Sequence, residues 1–262
     1  MIPKTIHYCW FGKKKQSKLI RDCIESWKKN CPDFEIIEWN EKNADLSLPF
    51  VQKAYKEKKW AFVSDYVRFK VLYEYGGIYL DTDMLVLKPF NDLLHEDCFF
   101  GAEEKEVVSC GIIGAKKGNE FIKECMLKYE LMDLSSEINW MKIIITIIIT
   151  EVFRLKYNFR ESIDKKSYDG ITIYPPAFFY PLPFNNNDVA NYKNYIVPES
   201  YAVHLWVGSW IVYNEFNFLR NGEYLKGGKI VFNNFLSGNI NYKYIRKILS
   251  SIKLSLSKNK NA

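Results

Sequence analysis

The chain has 262 residues, 48% of them hydrophobic and 16% aromatic, and a net charge of +6 at pH 7. That is enough for one sizeable core with a C-terminal appendage and too little for two full domains. The six cysteines, Cys9, Cys23, Cys31, Cys98, Cys110 and Cys125, are scattered, which excludes a CxxC metal knuckle and a secreted disulfide framework and points to a reducing compartment.

Met1-Ile2-Pro3-Lys4-Thr5 runs straight into a strand-like segment without the pattern of a signal peptide, so a cytoplasmic location is expected. Thr5 to Trp10 reads as a first strand ending at Phe11-Gly12, and Leu19, Ile20, Cys23, Ile24 and Trp27 mark one face of a helix. Phe34 to Trp39 reads as a second strand, and Pro49 to Lys59 and Ala61 to Tyr75 as helices, the second stopped by Gly76-Gly77. Ile78 to Leu80 and Met84 to Leu87 are strands on either side of Asp81-Thr82-Asp83. Phe99 to Ala102 and Gly111 to Ala115 follow as strands, then a helix from Asn119 to about Tyr129. Alternating strands and helices predict an α/β sheet in three layers.

Ile138 to Thr150 is strongly apolar, but its thirteen residues, interrupted by Lys142, fall well short of the roughly 20 that cross a bilayer, so it reads as a buried helix or strand. Beyond Ser167 a Pro- and Asn-rich stretch reads as loop or edge strand, followed by the short apolar strand of Tyr201-Ala202-Val203-His204. The last twenty residues hold Lys243, Arg246, Lys247, Lys253, Lys258 and Lys260 with no acid, beside an apolar stripe of Ile245, Ile248, Leu249, Ile252 and Leu256. Such a helix suits an anionic membrane surface or packs on the core with a solvated cationic side. No basic motif accompanies the charge, so nucleic acid is not an expected partner. The expected division is 1–241 for the main domain and 242–262 for the tail.

The chemistry centres on Asp81 and Asp83. In an extended chain, residues two apart share a face, and two carboxylates that close call for a compensating cation. Hard oxygen ligands favour Mn²⁺ or Mg²⁺, with phosphate oxygens completing the coordination. Asp65 and Arg68, three apart on a helix, also share a face; they form either an intrahelical ion pair or a pair gripping a sugar beside the metal.

The stretch from Ser64 to Met84, SDYVRFKVLYEYGGIYLDTDM, resembles the donor segment of glycosyltransferase family 32, the DXD-containing group that includes capsular polysaccharide enzymes. IPKTIHYCWFG at 2–12 and HLWVGSW at 204–210 resemble the outer motifs of that group, in the expected order. The resemblance implies a GT-A type, Rossmann-like three-layer fold with a mixed central sheet. It also implies transfer of a sugar from a nucleotide-sugar to a saccharide or polyprenyl-linked oligosaccharide acceptor, with retention, in capsule or surface polysaccharide synthesis. By position, Trp10 matches the residue stacking on the base, with a core aromatic as the alternative. Asp65 and Arg68 match the pair holding the donor sugar, and Asp81 the acid contacting the ribose and reaching the metal through water. Asp83 matches the direct metal ligand, His204 a third ligand, and Ser209 and Trp210 the donors closing over the diphosphate. The catalytic set so implied is Asp65, Arg68 and Asp83. The Ile143 to Thr150 run departs from the pattern, since relatives often carry a glycine- or proline-containing turn there. A metal-dependent phosphohydrolase and a non-catalytic sugar-binding module are the alternatives. The tail would hold a cytoplasmic enzyme at the inner leaflet.

Overall fold

Alternating apolar residues carry the chain into β1 (Thr5–Cys9), after which Ser17 caps α1 (Lys18–Asn30) by accepting a hydrogen bond from the Ile20 amide. The computed structural model describes residues 1–135, 138–159, 164–184, 189–207, 215–220, 222–238 and 240–258. Ile20, Cys23, Ile24 and Trp27 are buried on one face of α1, as their spacing requires. Next come β2 (Glu35–Trp39), α2 (Pro49–Lys56) and α3 (Trp60–Tyr75). Helix α3 stops at Gly76, whose φ of 70° lies where a side chain would be strained.

From there run β3 (Gly77–Leu80), β4 (Met84–Val86), β5 (Cys98–Glu104), β6 (Val107–Ala115), α4 (Glu120–Glu130) and α5 (Ile145–Tyr157). Then β7 (Lys166–Tyr168), β8 (Ile171–Tyr174), α6 (Pro176–Phe179) and β9 (Ala202–His204) complete a compact unit spanning Met1–Val207. Seven strands form one mixed sheet in the order β2-β1-β3-β6-β5-β8-β7. β1 runs parallel to β2 and β3, β6 antiparallel to β3 and β5, β8 parallel to β5, and β7 antiparallel to β8.

Two cores cover the two faces of that sheet. On one side α2, α3, α4 and α5 pack Phe50, Phe69, Phe121 and Phe153 against Tyr79, Phe100 and Ile113. On the other, α1, β4 and α6 pack Trp27, Met84 and Phe179 against Ile78, Phe99 and Ile112. This is the three-layer α/β architecture, with its mixed central sheet, that the sequence implies.

β4 leaves the main sheet and pairs antiparallel with β9 as a separate two-stranded sheet. Its other edge is met by α1: Trp27 Nε1 donates to the Met84 carbonyl at 2.7 Å, Asn30 Nδ2 to the Val86 carbonyl at 2.9 Å, and Ser26 Oγ accepts from the Val86 amide at 2.9 Å.

The pairing of β5 with β6 breaks twice. Phe100 faces Ile113 while Gly101, the next residue, faces Ser109, so Cys110, Gly111 and Ile112 have no partner on β5. Glu103 is likewise left out between the pairs Ala102 with Val108 and Glu104 with Val107.

The apolar run from Ile138 becomes a 3₁₀ turn at Trp140–Lys142 and then α5, which continues to Tyr157 and buries Ile145, Ile149, Val152 and Phe153. In the Pro-rich stretch, α6 drives Phe179 and Tyr180 into the core where loop or edge strand is expected, because its aromatic residues outweigh the prolines around them. The second unit, Gly208–Ala262, contains α7 (Glu215–Arg220), α8 (Tyr224–Leu236) and α9 (Tyr242–Lys258). It takes in the expected tail, whose helix is α9, with two helices before it. In α9, Ser251 and Ser255 are buried, whereas Ile245, Leu249 and Leu256 are exposed. Among the described residues no helix is long and apolar enough to cross a membrane.

Candidate functional site

Asp81 and Asp83 do not stand on one face of a strand. β3 ends at Leu80, and the Met84 amide donates to the Asp81 carbonyl at 3.0 Å, closing a β-turn that contains the motif. The turn carries the chain from the large sheet into the small one, and the two carboxylates separate with it.

Asp81 faces α3. Its Oδ1 lies 3.3 Å from Arg68 Nη1 and accepts from Tyr79 Oη at 3.1 Å. Arg68 also donates to Asp65 Oδ1 at 3.1 Å and to the Cys110 carbonyl at 2.6 Å, and its guanidinium sits 4.5 Å from the centre of the Tyr79 ring. The Asp65–Arg68 pair is therefore no solvated intrahelical contact: both are 4% exposed, and the guanidinium serves two carboxylates. Burial pushes the Asp65 carboxyl up to about 7, against the pull of Arg68 and with the push of Asp81. Arg68 is raised although burial opposes its charge, because Asp81, Tyr79 and Asp65 surround it.

Asp83 faces β9. Its Oδ1 lies 3.0 Å from His204 Nε2, and its Oδ2 accepts from the Val207 amide at 2.8 Å. Burial alone would raise Asp83, yet His204 and the backbone amide hold it below the usual carboxylate range. His204 mirrors it: burial would lower the imidazole, and Asp83 raises it. Trp206 packs edge-on to His204 with ring centres 4.0 Å apart, at a φ of 49° that few side chains tolerate. Its indole Nε1 donates to the Leu182 carbonyl at 2.8 Å.

The segment of β6 that β5 leaves unpaired, still bonded to β3, joins these groups. The Cys110 carbonyl takes Arg68, the Gly111 carbonyl accepts from the Asp81 amide at 2.8 Å, and the Ile112 amide donates to Tyr180 Oη at 3.0 Å. A side chain on Gly111 would come within 3.0 Å of Tyr180 Oη and 3.3 Å of Asp81 Oδ2, so glycine keeps this position clear. The sequence motifs assign no role to Tyr79, Gly111 or Tyr180. A glycine inside a strand pattern was the one signal available, and it marks the break at Gly111.

Trp10, at the end of β1, is partly buried and packs beside the α1 core, with Nε1 donating to the Lys14 carbonyl at 2.7 Å. It stands at the carboxyl end of the strand next to β3, the edge where open α/β sheets place ligands. Ser209 and Trp210 lie outside the described residues. Asp65, Arg68 and Asp81 come together, as do Asp83 and His204.

Among the described residues no three His, Cys, Asp or Glu side chains are gathered to hold a metal ion. Asp83 and His204 are the carboxylate and imidazole that would hold an ion here, in place of the hydrogen bond between Oδ1 and Nε2 at 3.0 Å. Ions of the magnesium type take one or two side chains and leave the remaining positions to water and phosphate.

Residues 17–100 match the model of the glycosyltransferase sugar-binding region containing the DXD motif. The chain is 30% identical over 152 residues to chimpanzee (Pan troglodytes) lactosylceramide 4-alpha-galactosyltransferase, a match covering 55% of this chain and 41% of that protein. It is 28% identical over 129 residues to inositol phosphoceramide mannosyltransferase 3 of Schizosaccharomyces pombe, covering 46% of this chain and 35% of that one. Among solved structures, the PaToxG glycosyltransferase overlaps at a TM-score of 0.49 and 20% identity, over 60% of this chain and 70% of that one. The chain thus spans less than half the length of these two curated relatives. With the aspartate turn, its arginine and the carboxyl edge of the sheet in view, residues 17–100 of the chain are similar to the glycosyltransferase sugar-binding region that contains the DXD motif.

Proposed function

We propose that this chain transfers a hexose from a nucleotide-sugar to a saccharide acceptor carried on a lipid, using Mn²⁺ or Mg²⁺. The observation that carries the reading is the meeting, at the carboxyl end of β3, of Asp65, Arg68 and Asp81 beside Asp83 and His204, from segments more than a hundred residues apart in sequence. The names of the two relatives, with lactosylceramide in one and inositol phosphoceramide in the other, favour a lipid-linked acceptor here. Both are glycosyltransferases, and neither lends support to the phosphohydrolase alternative.

Asp83 and His204 would hold the ion, which supplies Lewis-acid stabilisation of the departing diphosphate. Asp65 and Arg68 hold sugar hydroxyls, and Arg68, fixed between two carboxylates and a backbone carbonyl, keeps its orientation without reorganising. Asp81, with one oxygen engaged by Arg68 and Tyr79, turns the other towards the space beside Gly111 and takes the ribose. Trp10 stacks on the base, and Ser209 and Trp210 donate to the diphosphate. Retention of configuration and a role in capsule or surface polysaccharide synthesis come from the family resemblance and belong to the same proposal.

A panel of nucleotide-sugars with Mn²⁺ tests it. Release of nucleoside diphosphate is the expected result; release of inorganic phosphate, or of nothing, sinks it.

A membrane role for α9 rests on the exposure of Ile245, Leu249 and Leu256 beside Arg246, Lys247 and Lys253. On this reading the enzyme works at the cytoplasmic face of an anionic membrane. Vesicles containing phosphatidylserine should bind the full chain and lose it on removal of residues 242–262; equal binding by both ends the idea.

A further inference from the structure

Glu103 is a carboxylate for which the mechanism above has no task. It is the extra residue of the second break between β5 and β6, and such bulges re-aim side chains next to functional sites. Its neighbours along the strand divide between the two cores. Phe100 and Ala102 pack into the core beneath α3, α4 and α5, while Phe99 belongs to the opposite core and Gly101 abuts the Tyr180 ring there. Glu103 lies two residues on from Gly101, the residue that abuts the Tyr180 ring, and it is partly exposed.

Three observations tie Glu103 to the site. Ser109 stands opposite Gly101 in the ladder, on the face where Gly101 abuts Tyr180, whose hydroxyl accepts from the Ile112 amide, and it interacts with both Glu103 and Tyr180. Glu103 lies within electrostatic reach of both His204 and Asp81. On the same face, His204 Nδ1 is buried without a hydrogen-bond partner among the described residues, with its ring edge-on to Tyr180. The other acids of the site are already committed, Asp65 and Asp81 to Arg68 and Asp83 to His204.

We propose that Glu103 forms the acceptor subsite, its carboxylate taking a hydrogen bond from a hydroxyl of the saccharide that is to receive the sugar. The assignment rests on the glycosyltransferase reading. Ser109 is a positioning residue, holding the carboxylate against the Tyr180 wall, and Gly111 leaves room between this carboxylate and the donor side at Asp81.

The test compares the full chain with Glu103→Ala, Glu103→Gln and Ser109→Ala, using Mn²⁺, a set of UDP- and GDP-hexoses, and free lactose with a panel of aryl glycosides as acceptors. Donor hydrolysis without acceptor and transfer with acceptor are measured separately. For Glu103→Ala the acceptor KM rises about 10- to 150-fold, the worth of a hydrogen bond to a charged group, while donor KM and hydrolysis stay within about twofold. Glu103→Gln, which keeps size and one accepting oxygen, folds as the parent and loses less; Ser109→Ala loses less again. The assignment is overturned if folded Glu103→Gln and Glu103→Ala keep the parent ratio of transfer to hydrolysis, or lose both activities together. It is also overturned if the parent hydrolyses a donor yet transfers to no saccharide of the panel. A parent that processes no donor overturns the glycosyltransferase reading and this assignment with it.

Discussion

Asp81 and Asp83 are two residues apart and live in different surroundings. Asp81 directly follows β3 of the large sheet, is partly exposed, and shares one arginine with Asp65. Asp83 directly precedes β4 of the small sheet, is buried, and is held by His204 and the Val207 amide. The difference teaches that a short acidic motif need not act as one unit: the turn at Asp81–Met84 lets one acid face a cation the protein supplies, while the other faces a group able to give its place to a metal.

The most severe way to break the contrast is Arg68→Met, which leaves Asp65 and Asp81 together with no cation. Stripping one partner from a buried charge network costs about 3–5 kcal/mol, and urea unfolding measures it. A loss under about 1 kcal/mol would mean that Asp65 already carries a proton and needs no arginine.

A pair of isosteric changes sharpens the comparison on function. Asp83→Asn is expected to lower the kcat for nucleoside diphosphate release by about 100-fold or more, as loss of transition-state charge stabilisation does. Asp81→Asn, on the donor-holding side, raises donor KM about 10-fold and spares kcat. Equal effects of the two on kcat would erase the distinction.

The smallest effect is one of pH. Folding raises Asp65 from 3.8 to about 7, so the folded chain holds that proton more tightly than the unfolded one. The stability this supplies is complete below about 3.8 and is lost as pH rises through about 7. Thermal unfolding at pH 6 and pH 8 should show Tm falling with pH in the parent and falling less in Asp65→Asn; parallel slopes contradict the raised carboxyl.

Much of this was legible in the chain. The helical spacing of Ile20, Cys23, Ile24 and Trp27, the glycine stop at Gly76 and the apolar lead into Asp81 are local signals, and local signals survive folding. His204, to which the family motif gives the place of a third metal ligand, stands 3.0 Å from Asp83. What escaped depends on pairing. Whether Gly111 pairs with β5 or is left unpaired is decided by the register of the two strands, and nothing in its own neighbours fixes that register. Tyr180 sat among prolines that read as loop, yet the site uses it as a wall. The extended geometry assumed for Asp81 and Asp83 gave way to a turn, because β4 leaves the main sheet to pair with β9.

The side chains with which α1 meets β4 have a consequence for how the molecule behaves in company. A short strand with bare amides and carbonyls on one side is an invitation to a foreign chain. Here Ser26, Trp27 and Asn30 already occupy the groups such a visitor would seek on Met84 and Val86, so the outer edge of β4, beside the aspartates, is closed to recruitment into a larger assembly.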